Sequence, residues 1–361
     1  MVNFVDCAGL EAHTHPTTHP LIARVRGRTL TVDMHCHAQS FRADAFVRPH
    51  LPPPDPGARF TSEHTRLVTA ALNVKIAGPM SVARERLVDM DAAGIDVQAV
   101  SPSPGHYNYG LEAGIGRDAA RMVNDDIAEL VACDPQRFVA LGTVPLQDTD
   151  LAIAEMKRCI NDLGMRGIEI NSNVAGAELA DPSREAFFAA AEEMGVLLFL
   201  HPMTFWSGPR FGEHYFSNVI GNPLDSTVAL SHLIFDGVLE RHAGLKICVA
   251  HGGGFLPLYS GRMDHAYHAR ADCCGRISKA PSEYLRQLYF DTVVFDPEQV
   301  AALVQRFGSD HILMGTDYPY DMAEQDPLGL LARVPGLTPE DHARICGGNA
   351  AALLGLTHAP R

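Results

Sequence analysis

The chain has 361 residues, 46% hydrophobic and 20% charged, the balance of a globular protein with a large core. Its 43 acidic and 29 basic residues give a formal charge of −14. An acidic chain without basic runs argues against nucleic acid or anionic membrane as partner, and no apolar run approaches the length of a membrane span. The N-terminus lacks a basic stretch followed by an apolar one, so no signal peptide is expected. The eight cysteines form no C-x-x-C pair, and most sit in apolar or helical segments as buried free thiols do. Reduced thiols without a signal point to the cytoplasm.

Residues 1–30 read as an irregular arm. It contains His13-Thr-His15, but no apolar strand leads in to aim the rings, so it is expected to be exposed and not a metal site. The first strand is Thr31-Val-Asp-Met-His-Cys-His37. Residues i and i+2 of a strand share a face, so His35 and His37 point the same way and form half of a transition-metal site. Cys36 between them should face the other way and pack. Residues 38–80 read as an insertion after this strand, with a proline-rich loop from Leu51 to Gly57. Long excursions of this kind often serve as a lid or pocket wall.

Beyond residue 80 helices and strands alternate. The expected helices run Ser81–Ala93, Arg117–Cys133, Leu151–Leu163, Ser183–Met194, Ser226–His242, from about 256, Pro297–Phe307 and Thr338–Leu354. Gly94, Gly164 and Gly195 close three of them. The strands between run Ile95–Ser101, Arg137–Val144, Arg166–Ile170, Val196–His201, Leu245–His251, Leu288–Asp291 and His311–Asp317. Short, nearly continuously apolar strands belong to a parallel sheet buried on both faces. Eight βα units imply an α/β fold, a closed (β/α)8 TIM barrel, in one domain over residues 31–361.

Such barrels carry their chemistry at the C-terminal ends of the strands. There the sequence places His35 and His37 (strand 1), His201 (strand 5), His251 (strand 6) and Asp317 (strand 8). Three histidines and a carboxylate are a plausible ligand set for a divalent metal such as zinc, with a water completing it. A remaining histidine can then handle protons. Glycines 252–254 leave room for backbone to approach a ligand or an anion.

Val32-Asp-Met-His-Cys-His37, Phe199-Leu-His-Pro202, Ala250-His-Gly-Gly-Gly254 and Met314-Gly-Thr-Asp-Tyr-Pro319 together resemble the signature set of the amidohydrolase superfamily. Met90-Asp-Ala-Ala-Gly-Ile-Asp-Val-Gln98, Asp134-Pro-Gln-Arg137, Val144-Pro-Leu-Gln-Asp148 and Gly348-Asn-Ala350 are similar to its aminocarboxymuconate semialdehyde decarboxylase branch. The resemblance covers about residues 31–356. It implies one zinc held by His35, His37, His201 and Asp317, with His251 as the proton-handling residue. It lacks the carboxylated lysine of two-metal relatives; Glu169, on strand 4, reads as structural.

The family chemistry is nonoxidative decarboxylation of an unsaturated or aromatic acid, with metal-activated water and His251 as general acid/base. The alternative on the same metal is a hydrolase or hydratase acting on a lactone or an unsaturated dicarboxylate. A non-catalytic barrel is disfavoured by the intact His251. Four residues are expected to bind substrate. Tyr320 stands where relatives place an aromatic ring. Trp206, after strand 5, could stack on a flat substrate or simply pack in its loop. Lys75 lies where the decarboxylase carries an arginine. Arg262, by resemblance, reaches across a homodimer interface to a substrate carboxylate; the alternative is an intrachain pair with Asp264.

Overall fold

The computed structural model describes residues 29–51, 62–203 and 209–356. The arm, including His13 and His15, and the loop residue Trp206 lie outside the described residues.

Eight parallel strands form one sheet in sequence order. They are β1 (Val32–Ala38), β2 (Val97–Pro102), β3 (Phe138–Gly142), β4 (Gly167–Ile170), β5 (Leu197–Leu200), β6 (Lys246–Val249), β7 (Tyr289–Asp291) and β8 (Ile312–Leu313). The helices include α1 (Phe41–Val47), α2 (Glu63–Ser81), α3 (Ala83–Ala93), α4 (Ala113–Ala132), α5 (Thr149–Asn161), α6 (Glu185–Met194), α7 (Asn222–Phe235), α8 (Leu256–Tyr259), α9 (Gly261–Ala269) and α10 (Pro297–Phe307). The alternation is that of a (β/α)8 barrel.

Alternation along each strand builds two cores. In β5, Leu197 and Phe199 join a cluster with Met34, Ala99, Leu141, Cys248 and Leu313, the filling of the barrel. Leu198 and Leu200 join the larger cluster shared with the helices. Each fully buried Leu or Phe contributes roughly 1.5–3 kcal/mol relative to exposure.

One strand breaks the alternation. In β1, Val32 and Met34 belong to the inner cluster, whereas Cys36 belongs to the outer one. The pairing with β2 slips between Asp33 and Cys36: Asp33 lies opposite Gln98, and Cys36 opposite Val100. Three steps on one strand match two on the other, a one-residue bulge. The bulge turns His35 and His37 inward directly above Met34. Cys36 faces outward as expected, its Sγ 3.3 Å from the Ala99 carbonyl.

The barrel closes through an irregular seam. Met34 N–H donates to Met314 O (2.9 Å), Asp317 N–H to His35 O (2.8 Å) and His37 N–H to Tyr318 O (2.8 Å). The last strand was expected to reach Asp317, but its regular ladder stops at Leu313. The cause is Asp33, whose carboxylate takes Thr316 N–H (3.0 Å) and Thr316 Oγ1–H (2.7 Å) and draws this segment out of register.

Other differences are local. Helix α4 starts four residues earlier than expected because the Glu112 side chain caps the amides of Gly114 and Ile115. The helix expected over Ser226–His242 breaks at Gly237, which has φ 77°. The C-terminal helix divides into Pro339–Ala343 and Asn349–Leu353 around one wider turn. Gly94 and Gly195 close α3 and α6 in the left-handed conformation, as the sequence predicts. Six cysteines (36, 159, 248, 273, 274 and 346) are free thiols.

Candidate metal centre and active site

The five expected residues converge at the C-terminal mouth of the barrel. His35 and His37 end β1, and His201 directly follows β5, its N–H bonded to Ile170 O (2.9 Å). The His35, His37 and His201 ring centroids are 4.8–5.0 Å apart, and His251 lies 4.9 Å from His201 and 5.1 Å from His35. Asp317 completes the group: Oδ1 is 3.3 Å from His35 Nε2 and 3.2 Å from His37 Nε2, and Oδ2 is 3.5 Å from His251 Nε2. One ligand atom each from His35, His201, His251 and Asp317 fit within 4.8 Å of one another.

The surroundings aim these atoms. His35 Nδ1–H donates to Asp291 Oδ2 (2.7 Å), and His37 Nδ1–H to the Pro102 carbonyl (2.9 Å). Each bond fixes the ring and leaves Nε2 facing the centre. The two Nε2 atoms are then 3.1 Å apart. Two lone pairs at that distance repel unless a cation lies between them. Both ring nitrogens of buried His201, His251 Nδ1 and Asp317 Oδ1 have no hydrogen-bond partner among the described residues. Buried polar atoms are rarely left so, and a divalent ion would satisfy one His201 nitrogen and Asp317 Oδ1. The residues fit a single metal.

Charge agrees. Burial opposes protonation of His35, but the Asp317 and Asp291 carboxylates outweigh it and push this imidazole up to about 10, so it takes a proton where no cation is bound. Burial and the rings of His37, His251 and His35 hold His201 well below the usual imidazole range, in the neutral form a ligand needs. Burial disfavours the Asp317 anion, yet His35, His251 and His37 hold it well below the usual carboxylate range. His251 and Asp317 have φ of 55° and 66°, the left-handed region that side chains avoid. Gly315 leaves the space this needs, since a Cβ there would sit 2.8 Å from His35 Cβ.

Two acids flank the centre. Asp291 was read only as a strand end; it is fully buried and also accepts the amides of His251 (3.0 Å), Gly252 (2.9 Å) and Val293 (3.1 Å). Burial opposes its ionisation, but the His35 hydrogen bond keeps it below the usual carboxylate range. The backbone after His251 therefore faces an internal carboxylate at Gly252, and Gly253 and Gly254 close a tight turn by donating to Ala250 O (3.1 Å) and His251 O (3.1 Å). Glu169 accepts the Tyr107 hydroxyl (2.6 Å), with Oε2 3.6 Å from His37 Nδ1. Burial raises its carboxyl above the usual range.

A cavity of about 410 Å³ opens beside His201, His251 and Asp317. Tyr320 lines it, with its ring centroid 5.3 Å from that of His37 and its hydroxyl 2.6 Å from Ser103 Oγ. Four α2 residues also line it, Asn73, Ile76, Ala77 and Met80, at helical spacing. Lys75 is exposed and is not among the residues that line the cavity. Asn73, Asn218 and Asn222 line the cavity and were not expected; the spacing back from Met80 was the one available signal, and for Asn73 alone. Arg262 is exposed on α9 with no ion-pair or hydrogen-bond partner among the described residues. Asp264, its alternative intrachain partner, instead accepts the Ser282 amide (2.9 Å).

A parallel barrel with imidazoles and a carboxylate aimed at one point is the framework of a metal-dependent barrel enzyme. The family model described as Amidohydrolase matches residues 32–356, and the chain belongs to that family. The 2-amino-3-carboxymuconate-6-semialdehyde decarboxylase of Dictyostelium discoideum is 35% identical over 272 residues, 75% of this chain and 76% of that protein. The crystal structure of 5-carboxyvanillate decarboxylase from Sphingomonas paucimobilis superposes with a TM-score of 0.81 at 25% identity, covering 91% of this chain and all of that one. A dihydroxybenzoic acid decarboxylase from Polaromonas sp. JS666, with bound manganese and 2-nitroresorcinol, shares the fold (TM-score 0.77, 20% identity, covering 92% and 98%). The chain is thus a metal-dependent carboxy-lyase of the amidohydrolase superfamily.

Proposed function

We propose that this chain removes carbon dioxide, without oxidation, from a small aromatic or unsaturated carboxylic acid held in the cavity beside His251. One divalent metal would be held by His35, His37, His201 and Asp317. The observation that carries this reading is the convergence of these buried side chains at the barrel mouth, where His201 and Asp317 border the cavity and hold polar atoms without hydrogen-bond partners among the described residues. Bound there, the ion supplies Lewis acidity that orients and polarises the acid. Three imidazoles and one carboxylate suit zinc; the manganese of the Polaromonas relative makes that ion the main competitor.

His251 is placed to move the proton. Its ring borders the cavity, and Asp291 fixes its backbone from behind. It delivers a proton to the carbon bearing the carboxylate. The C–C bond then breaks, its electron pair restores conjugation, and carbon dioxide leaves. Tyr320 packs against the substrate face, as its position beside His37 allows.

Arg262 completes the reading as the carboxylate anchor of a second subunit. Phe255, Leu258 and Tyr259 are 44%, 42% and 67% exposed. With Arg262 they fall at i, i+3, i+4 and i+7 along α8 and α9, one exposed apolar stripe ending in an unpaired guanidinium. A guanidinium matches a carboxylate with two parallel N–H groups, so a homodimer would bury the stripe and deliver the charge.

The test incubates metal-loaded protein with a panel of aromatic and muconate-type acids and measures released carbon dioxide. Uptake of labelled water into product without carbon dioxide would overturn decarboxylation in favour of hydrolysis or hydration.

A further inference from the structure

The lining of the cavity narrows the choice of acid. Apart from the metal-centre residues, the polar groups it presents include Gln39, Asn73, Ser103, Asn218, Asn222 and Tyr320. These are amides and hydroxyls, all neutral. Among the described lining residues there is no lysine or arginine. The same holds for the adjoining cavity of about 400 Å³, which shares Asn218, Asn222, His251 and Asp317 and is otherwise mostly apolar, with Val293, Val294 and Met322.

Two arginines in elements flanking the lining are committed elsewhere. Arg86 is fully buried and donates to the carbonyls of His37 (2.6 Å) and Pro79 (3.0 Å) and to Gln98. Arg42 pairs with Asp126 (2.5 Å). Residues 204–208, Thr-Phe-Trp-Ser-Gly, bring no cation by sequence, and the chain as a whole carries −14.

We infer that the substrate is a monocarboxylate: an aromatic acid whose other polar substituents are neutral hydroxyl or ether groups, with Asn73 on α2 binding one of them. This rests on the decarboxylase reading. Its single carboxylate is matched by the metal and by Arg262 of the second subunit. A second carboxylate would lose its hydration and find only amides and hydroxyls, a poor exchange for an anion. A hydroxyl loses less and is satisfied by an amide that both donates and accepts. Asn73 is the specificity residue of this set, because it is the one polar side chain among the α2 residues that line the cavity.

The test pairs each hydroxylated benzoic acid with the same ring carrying a second carboxylate. Binding to manganese- and zinc-loaded protein is measured by calorimetry, and carbon dioxide release is measured in parallel. The monoacid of each pair is expected to bind about tenfold tighter or better, and to be the member that releases carbon dioxide. Asn73→Arg should close or reverse that gap by improving diacid binding, whereas Asn73→Gln should preserve it. Wild-type protein that binds diacids as tightly as monoacids, or that binds neither, overturns the inference. An unchanged gap in Asn73→Arg removes Asn73 from the specificity role. Tight monoacid binding without carbon dioxide release upholds the substrate class and refutes decarboxylation, so the two failures are distinguishable.

Discussion

Asp291 Oδ2 accepts the Nδ1–H of His35 at 2.7 Å, both side chains fully buried, and the same carboxylate takes the backbone N–H of His251. One acid thereby sets the ring orientation of His35, the proposed metal ligand, and the backbone position of His251, the proposed proton carrier. Asp291→Asn should weaken metal binding roughly 10- to 100-fold, the usual cost of losing such a partner. Competition with a chelator of known affinity measures it, and unchanged affinity would show that His35 is oriented by something else.

The ligand and proton-handling roles separate by substitution. His35→Ala and Asp317→Ala should lose the metal, whereas His251→Ala should keep it at one per chain and lose turnover by about 10²- to 10⁴-fold. Elemental analysis beside a carbon dioxide assay distinguishes the outcomes. Full activity in His251→Ala would remove its proton-transfer role.

Action of Arg262 across an interface can be tested by mixing subunits. Arg262→Ala should raise KM strongly with metal content and fold intact. At substrate concentrations far below the raised KM, a mixture of His251→Ala and Arg262→Ala proteins should regain activity once their subunits exchange, because a mixed dimer holds one site with both residues. Demonstrated exchange with no recovery would place Arg262 in its own chain's site or outside any site.

On the far side of the barrel Glu185 bonds Arg241 through both carboxylate oxygens (2.8 Å each) and His242 Nε2 (2.9 Å). The Arg241 hydrogen bonds are the main reason its carboxyl is pulled down from 4.5 to about 2. A depressed folded value stabilises the native state fully above the unfolded value and loses that contribution as pH falls through the folded one. Glu185→Gln should therefore lower the urea midpoint at pH 5.5, with the difference from wild type shrinking toward pH 2.5. A difference that grew on acidification would contradict this assignment.

The strands and five converging residues were legible because a parallel barrel repeats one rule: apolar run, then chemistry at its end. His35 and His37 share a face although the bulge, between Asp33 and Cys36, spans His35. The bulge itself depends on pairing with β2, which β1 alone does not encode. Asp291 was hidden for a related reason: an acid ending a three-residue strand looks like any helix-capping aspartate until His35, 256 residues away, is placed beside it. Helix α2 was read only as an insertion because it carries no single apolar stripe. Leu67 and Val74 are 64% and 80% exposed while Ile76 and Met80 line the cavity, so the facing of Lys75 and Asn73 could not be taken from pattern.

The seam between the first strand and the segment after the last also bears on how the protein is made. His35 and Asp317 are 282 positions apart, and their contact forms only when the two ends of the barrel meet. While the ribosome is still making the middle of the chain, Asp317 does not exist and the ligand set is incomplete. An ion held by both residues would therefore be captured late in biosynthesis, after the ring of strands has closed, and would act as a clasp across that closure.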